Sequence, residues 1–323
     1  MTNNFQILSV GIITFLVISS SIQVFNNRKN LNEIAAFSLA EQINSNVKNP
    51  IEIHEIETKK VHVGDIEMAY KMFGKGSPIL LINGFSAPLD FWDPTLLEKL
   101  ASNYTVVTFD NRGIGNTTLG DKEFTMKQFA NDTAGLMDAL KIKKADVIGW
   151  SMGGMIAQEL VLGHPDKVGK LVIYASICGG KESTLPSKEV MNAFAGNFNT
   201  QSERLQRFLP LMFPEKWRIQ NPDYLQNLPP TTEMTPEMTL SRQTDAIINW
   251  PGTCNQLGKI TQQTLVIVGT DDILTVPSNS LLITGKIPGA VLVQIQGGGH
   301  AVMMQYPEKF SNTVLSFLNT RIE

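Results

Sequence analysis

Ser151 stands at the centre of Gly149-Trp150-Ser151-Met152-Gly153, after an apolar strand-like segment and before a helix-like one. A serine in that setting can act as a nucleophile. The tight strand-to-helix turn strains its backbone and lifts its hydroxyl clear of the sheet. Side chains two residues to either side would collide with neighbouring backbone, so glycine is favoured at both positions. The following helix points its N-terminus at whatever binds there, which favours developing negative charge. G-x-S-x-G also arises by chance in glycine-rich turns. Here the flanking strand and helix carry the nucleophile reading.

A serine hydroxyl attacks poorly until a base takes its proton. The chain offers four histidines. His54 and His62 precede the core strands, and His164 lies between Gly163 and Pro165, where it caps a helix C-terminus. His300 ends Gly297-Gly298-Gly299-His300, a loop after the strand-like Ala290 to Ile295, and is the candidate base. An imidazole in this role needs a carboxylate to fix its tautomer. The unbroken apolar run Thr264 to Val268 reads as a buried parallel strand and ends in Gly269-Thr270-Asp271-Asp272. Of the two acids we take Asp272, with Asp271 as the turn-forming alternative. A further apolar strand, Pro78 to Ile82, runs into Asn83-Gly84-Phe85. Backbone N–H groups of Phe85 and Met152 are the candidate oxyanion donors.

With these motifs the sequence resembles the α/β-hydrolase superfamily, in its capped esterase, lactonase and cofactor-free haloperoxidase-like branch. The resemblance runs from about Val61 to Leu318. It rests also on Trp92, on Asp110-Asn111-Arg112-Gly113-Ile114-Gly115, which looks like the family's D-x-R-G-x-G turn, and on Gly299-His300-Ala301 before Pro307-Glu308. Ser151, Asp272 and His300 follow the family's chain order of nucleophile, acid and base. The family usually has His-Gly before the oxyanion residue, and this chain has Asn83; that histidine organises the loop without joining the triad. Gln305 stands where a glutamate is common.

The elements that must position these residues follow from periodicity. Val61 to Tyr70 reads as a hairpin turning at Gly64-Asp65, Tyr104 to Phe109 as a strand, and Phe124 to Leu140 as a helix. Ala145 to Gly149 and Leu171 to Ala175 read as further strands, and Ser311 to Leu318 as a closing helix. Alternation of this kind predicts an α/β fold with a doubly wound, mostly parallel sheet, whose ligands bind at the carboxyl ends of the strands. Between Gly180 and about Lys259 strand signals vanish and prolines cluster. The resemblance implies a helical cap there, at about residues 181–259. Phe194, Phe198, Phe208, Leu209, Leu211, Met212, Phe213 and Trp217 are its candidates for an apolar pocket over Ser151, set against simple packing of cap on core. Phe194 and Phe213, with Trp150 of the turn, are the candidate substrate contacts. A covered apolar site suits a small or medium ester, thioester or lactone better than a charged polymer.

A chain with 42% hydrophobic residues can bury one large core plus a cap. A net charge of −3 gives no reason to expect a nucleic-acid partner. No metal-spaced His/Cys cluster, phosphate loop or repeat is visible, so no metal or cofactor is expected. Cys178 and Cys254 neither demand an oxidising compartment nor exclude a disulfide. Phe5 to Phe25 carries no charge and is long enough to span a bilayer. It reads as a membrane anchor in preference to a cleaved signal, because no Lys or Arg precedes it. Arg28 and Lys29 behind it would keep the domain on the cytoplasmic side. The expected division is 1–27 anchor or signal, 28–60 linker and 61–323 hydrolase domain. The expected activity is hydrolysis of a largely apolar carboxylic ester through an acyl-enzyme. The alternatives are cofactor-free perhydrolysis on the same triad and a non-catalytic membrane-tethered binding protein.

Overall fold

Successive side chains of a strand point to opposite faces, and in the central strands of this sheet both faces are apolar. The computed structural model describes residues 55–195, 201–226 and 235–320. Within them, Leu80 and Ile82 of β3 (Ser77–Ile82) enter one core, while Ile79 and Leu81 enter the other. Val147 and Ile148 of β5 (Ala145–Trp150) divide in the same way. Such strands are stable only with helices on both sides.

The sheet has eight strands in the order β1-β2-β4-β3-β5-β6-β7-β8. β1 (Lys59–Val63) and β2 (Ile66–Gly74) form the expected hairpin, with Gly64 at a φ of +62° in its turn. β2 also runs antiparallel to β4 (Tyr104–Phe109), and every pairing from β4 onward is parallel. β6 is Val168–Tyr174, β7 is Thr264–Gly269 and β8 is Val291–Ile295. This is the doubly wound, mostly parallel architecture expected. The chain steps from β3 outward to β4 and then returns past β3 to β5, so the crevice between the ends of β3 and β5 is the topological switch point.

In chain order the helices before the cap are α1 (Pro94–Ala101), α2 (Met126–Ala139) and α3 (Met152–Gly163). The side chains of Asp93 and Thr125 cap α1 and α2 by accepting backbone N–H bonds. Between β6 and β7 the described residues hold five α-helices and no strand. They are α4 (Lys188–Ala195), α5 (Gln201–Met212), α6 (Glu215–Gln220), α7 (Pro222–Gln226) and α8 (Glu237–Ile248). The chain closes with α9 (Pro277–Lys286), α10 (Val302–Gln305) and α11 (Pro307–Asn319). α2 and α3 cover one face of the sheet, α1 and α11 the other.

Cys178, just after β6, and Cys254, just before β7, form a disulfide with Cα atoms 4.9 Å apart. It joins the two feet of the helical insertion, and the Thr253 N–H donates to the Cys178 carbonyl beside it at 2.7 Å. The bridge spans 76 residues. Chain-entropy arguments give a loop of that size about 4 kcal/mol of stabilisation. Replacing both cysteines by serine is therefore expected to lower unfolding stability by about that amount. Denaturant unfolding of the oxidised protein against the double variant measures it; equal midpoints would show that the feet are held without the bridge.

Among the described residues no helix is long and apolar enough to cross a membrane. The apolar run Phe5 to Phe25, residues 28–54 of the expected linker with His54 among them, and Phe198 lie outside the described residues; Lys59 and Lys60, the last two residues of that linker, belong to β1.

Candidate active site

Ser151 occupies the turn between β5 and α3 with φ 57° and ψ −118°, a conformation that strains any residue except glycine. The surroundings leave it no alternative. A Cβ at Gly149 would strike the backbone of Gly153 and Gly154, and one at Gly153 would strike the carbonyls of Ile82 and Asn83. α3 can therefore approach the end of β3 only with glycine at both places. The Ser151 N–H donates to the Tyr174 carbonyl at 2.9 Å, and the Ser176 hydroxyl donates to the Ser151 carbonyl at 2.7 Å. Met152 is the first residue of α3, so its N–H has no acceptor within the helix.

Asp272 and His300 meet as expected. The Nδ1 of His300 lies 3.0 Å from the Asp272 Oδ2, and both side chains are buried. Asp272 is otherwise saturated: Oδ1 accepts the N–H groups of Leu274 and Thr275 at 2.9 and 3.0 Å, and Oδ2 accepts the Thr275 hydroxyl at 2.7 Å. Burial alone would raise its pKa. The charge of His300 and the hydrogen bonds from His300 and Thr275 outweigh burial and hold the carboxyl below its ordinary value. Asp271 is exposed, and among the described residues its carboxylate accepts the neighbouring Thr270 hydroxyl at 2.8 Å. The other described histidines are elsewhere: His62 pairs with Glu67 on the surface, and His164 ends α3 beside Asn131.

The peptide carrying His300 is pinned from several sides. Its carbonyl accepts the Tyr174 hydroxyl at 2.7 Å and the Trp150 indole N–H at 3.2 Å. The preceding Gly299 N–H donates to Gln305 Oε1 at 2.6 Å, and the following Ala301 N–H donates to the Met212 carbonyl at the end of α5. Full burial raises the Tyr174 phenol well above its ordinary pKa, so it stays a donor. Sequence reasoning missed Tyr174 and left Gln305 without a role; only their three-dimensional convergence on one loop reveals them.

The candidate oxyanion loop lies against the serine. A Cβ at Gly84 would stand 3.1 Å from the Ser151 Cβ and 3.7 Å from its Oγ. Asn83 stands at the position where the family usually has histidine. Its Nδ2 donates to the Pro88 carbonyl at 2.7 Å, and its own carbonyl accepts Asn111 Nδ2 at 3.1 Å. Asp110 fixes the same segment from behind by accepting the N–H of Leu89 at 2.7 Å. Arg112 is buried between Asp65 and Asp132, donating four hydrogen bonds to their carboxylates at 2.7 to 2.8 Å. Its hydrogen bonds hold the Asp65 carboxyl well below the usual carboxylate range.

The three candidate substrate contacts separate. Phe194 reaches the oxyanion loop, with its ring centroid 4.8 Å from Phe85 and 5.8 Å from Phe208. Trp150 does not line a surface. It is buried beside His300, stacked between Phe91 and Tyr174, because alternation along β5 turns its side chain into the core on the α1 and α11 face. Phe213 is likewise buried, stacked on Trp217 at 5.0 Å and edge-on to Tyr224 at 5.7 Å. Packing claims both rings. An open cleft of about 720 Å³ between β7, β8 and α11, lined by Val291, Val293 and Phe317, shares no residue with this site.

Residues 77–307 match the family described as alpha/beta hydrolase fold, and the chain belongs to that family. Among its relatives is RutD of Azorhizobium caulinodans, whose name proposes carbamate hydrolysis; it is 28% identical over 264 residues, covering 79% of this chain and 96% of RutD. BpoC of Mycobacterium tuberculosis, whose name proposes a non-heme bromoperoxidase, is 28% identical over 265 residues, covering 78% of this chain and 97% of BpoC. Among solved structures, a hydrolase from Pseudomonas aeruginosa superposes with a TM-score of 0.69 at 28% identity, over 82% of this chain and 99% of that one. The family's description, RutD and the Pseudomonas aeruginosa protein all name a hydrolase, which supports hydrolase activity for this chain.

Proposed function

We propose that the chain is a serine hydrolase that cleaves a small or medium, largely apolar carboxylic ester, thioester or lactone. The buried Asp272–His300 pair, at the same end of the sheet as the strained Ser151, carries this reading. His300 takes the Ser151 proton as the hydroxyl attacks the carbonyl, and the Phe85 and Met152 N–H groups hold the oxyanion. His300 then protonates the leaving alkoxide and afterwards activates a water that releases the acid, while Asp272 keeps the imidazole in one tautomer. Phe85, Phe194 and Phe208 form the apolar wall beside the oxyanion loop, which favours an acyl chain over a charged group. The test is fluorophosphonate labelling of the folded protein, followed by p-nitrophenyl esters from acetate to octanoate. Labelling with highest kcat/KM on a mid-length chain supports the reading; no labelling of folded protein defeats it. The resemblance to BpoC gives a second reaction a specific reason, so peroxide-dependent bromide oxidation in acetate buffer belongs in the same screen.

For location, we propose that residues 5–25 tether or export the chain and that the hydrolase domain faces an oxidising compartment. The Cys178–Cys254 disulfide favours that side over the cytoplasmic one suggested by Arg28 and Lys29. Acid-quenched cells decide it: maleimide labelling of the denatured chain without reductant would place the domain in a reducing compartment.

A further inference from the structure

α8 turns Thr239, Gln243 and Ala246 toward the core, at the i, i+4, i+7 spacing of a buried stripe. Gln243 is the anomaly in that stripe. It is fully buried, and a buried amide is costly unless its polar atoms are used. Its Oε1 accepts the backbone N–H of Ser86 at 2.9 Å, a contact between residues 157 positions apart. Its Nε2 has no hydrogen-bond partner among the described residues.

Ser86 is not an arbitrary partner. It sits in the turn closed by the Ala87 N–H to the Gly84 carbonyl at 3.4 Å, with a φ of +60° that favours glycine or asparagine. The turn is strained and its own closing bond is long, so it needs an outside restraint to keep one shape. The same turn carries Phe85, the peptide immediately before Ser86, and places Gly84 against Ser151. A displacement of about 1 Å at such a donor can cost about a hundredfold in rate.

We propose that Gln243 is a positioning residue: its Oε1 holds the Ser86 N–H, so that seating of cap helix α8 and alignment of the oxyanion loop are one event. This rests on the serine-hydrolase reading, in which the Phe85 N–H is an oxyanion donor. Cap closure then assembles the catalytic geometry as well as covering it, and a substrate that keeps the cap from seating is bound without being turned over.

The test uses the full chain, p-nitrophenyl butyrate and a trifluoromethyl ketone inhibitor, whose adduct with serine needs the same oxyanion donors. Gln243→Met keeps the side-chain volume and removes the acceptor. It is expected to lower kcat by about 10- to 100-fold with KM within about threefold, and to weaken the inhibitor by the same factor. Gln243→Asn, one methylene too short to reach Ser86, should show the same split and serves if the Met variant does not fold. Thr239→Val, one turn away and packed on Gly113, should keep kcat within about threefold. A wild-type kcat in both Gln243 variants would overturn the proposal. So would a rise in KM with kcat unchanged, or an equal kcat loss in Thr239→Val. Fluorophosphonate labelling of the wild type, run alongside, reports on the serine reading independently of any Gln243 result.

Discussion

Ser151→Ala is expected to abolish fluorophosphonate labelling and to lower kcat/KM for a p-nitrophenyl ester by about 10⁴-fold or more. The size follows from what remains. Without Oγ no acyl-enzyme can form, and His300, the oxyanion donors and substrate binding can at best assist direct attack by water. The fold should not notice. Alanine keeps the Cβ, so the strain at φ 57° is unchanged, and the two backbone bonds of residue 151 to Tyr174 and Ser176 do not involve the hydroxyl. Gly149 and Gly153 still let α3 reach β3. Thermal unfolding within about 2 °C of wild type, with no labelling and no turnover, is the expected combination. Retained turnover by a folded Ser151→Ala protein would remove Ser151 from the mechanism.

Local rules made some of this site readable in the sequence. The elbow needs glycine at two fixed offsets, strands β3 and β7 carry unbroken apolar runs, and a glycine loop announces His300. These are constraints within ten residues of chain. The roles that pattern could not assign are contacts across long separations. Gln243 reads as one more polar helix residue until α8 is seen against Ser86. Tyr174 reads as the end of a strand until its hydroxyl meets the His300 carbonyl, 126 residues later. Trp150 and Phe213 show a related effect: aromatic residues near a nucleophile suggest a pocket, but the strand's alternation and the cap's own stacking bury both. The cysteine pairing was equally unreadable, since two thiols 76 residues apart are joined only by the return of the cap to β7.

Asp272→Asn is expected to lower kcat by about 10³- to 10⁴-fold, while Asp271→Asn stays within about threefold. The hydrogen bonds of the loop dictate the difference. At position 272 the amide oxygen would remain with the Leu274 and Thr275 N–H groups, which need an acceptor. The new NH₂ would then face His300 Nδ1 in place of Oδ2 and force that nitrogen to accept. The proton moves to Nε2, and an imidazole protonated there cannot take the serine proton. Asp271 makes no such demand, because its exposed carboxylate meets Thr270 and, among the described residues, not the imidazole. The pair also leaves a mark on stability. The Asp272 pKa is depressed in the fold, so its contribution is complete above the ordinary carboxylate pKa of about 4 and is lost as pH falls through the lower folded value. Unfolding midpoints of wild type should therefore fall more steeply than those of Asp272→Asn below about pH 4. Kinetics of the two variants at neutral pH, with unfolding from pH 7 to pH 2, test both halves. A larger kinetic loss in Asp271→Asn than in Asp272→Asn would assign the acid to the other neighbour.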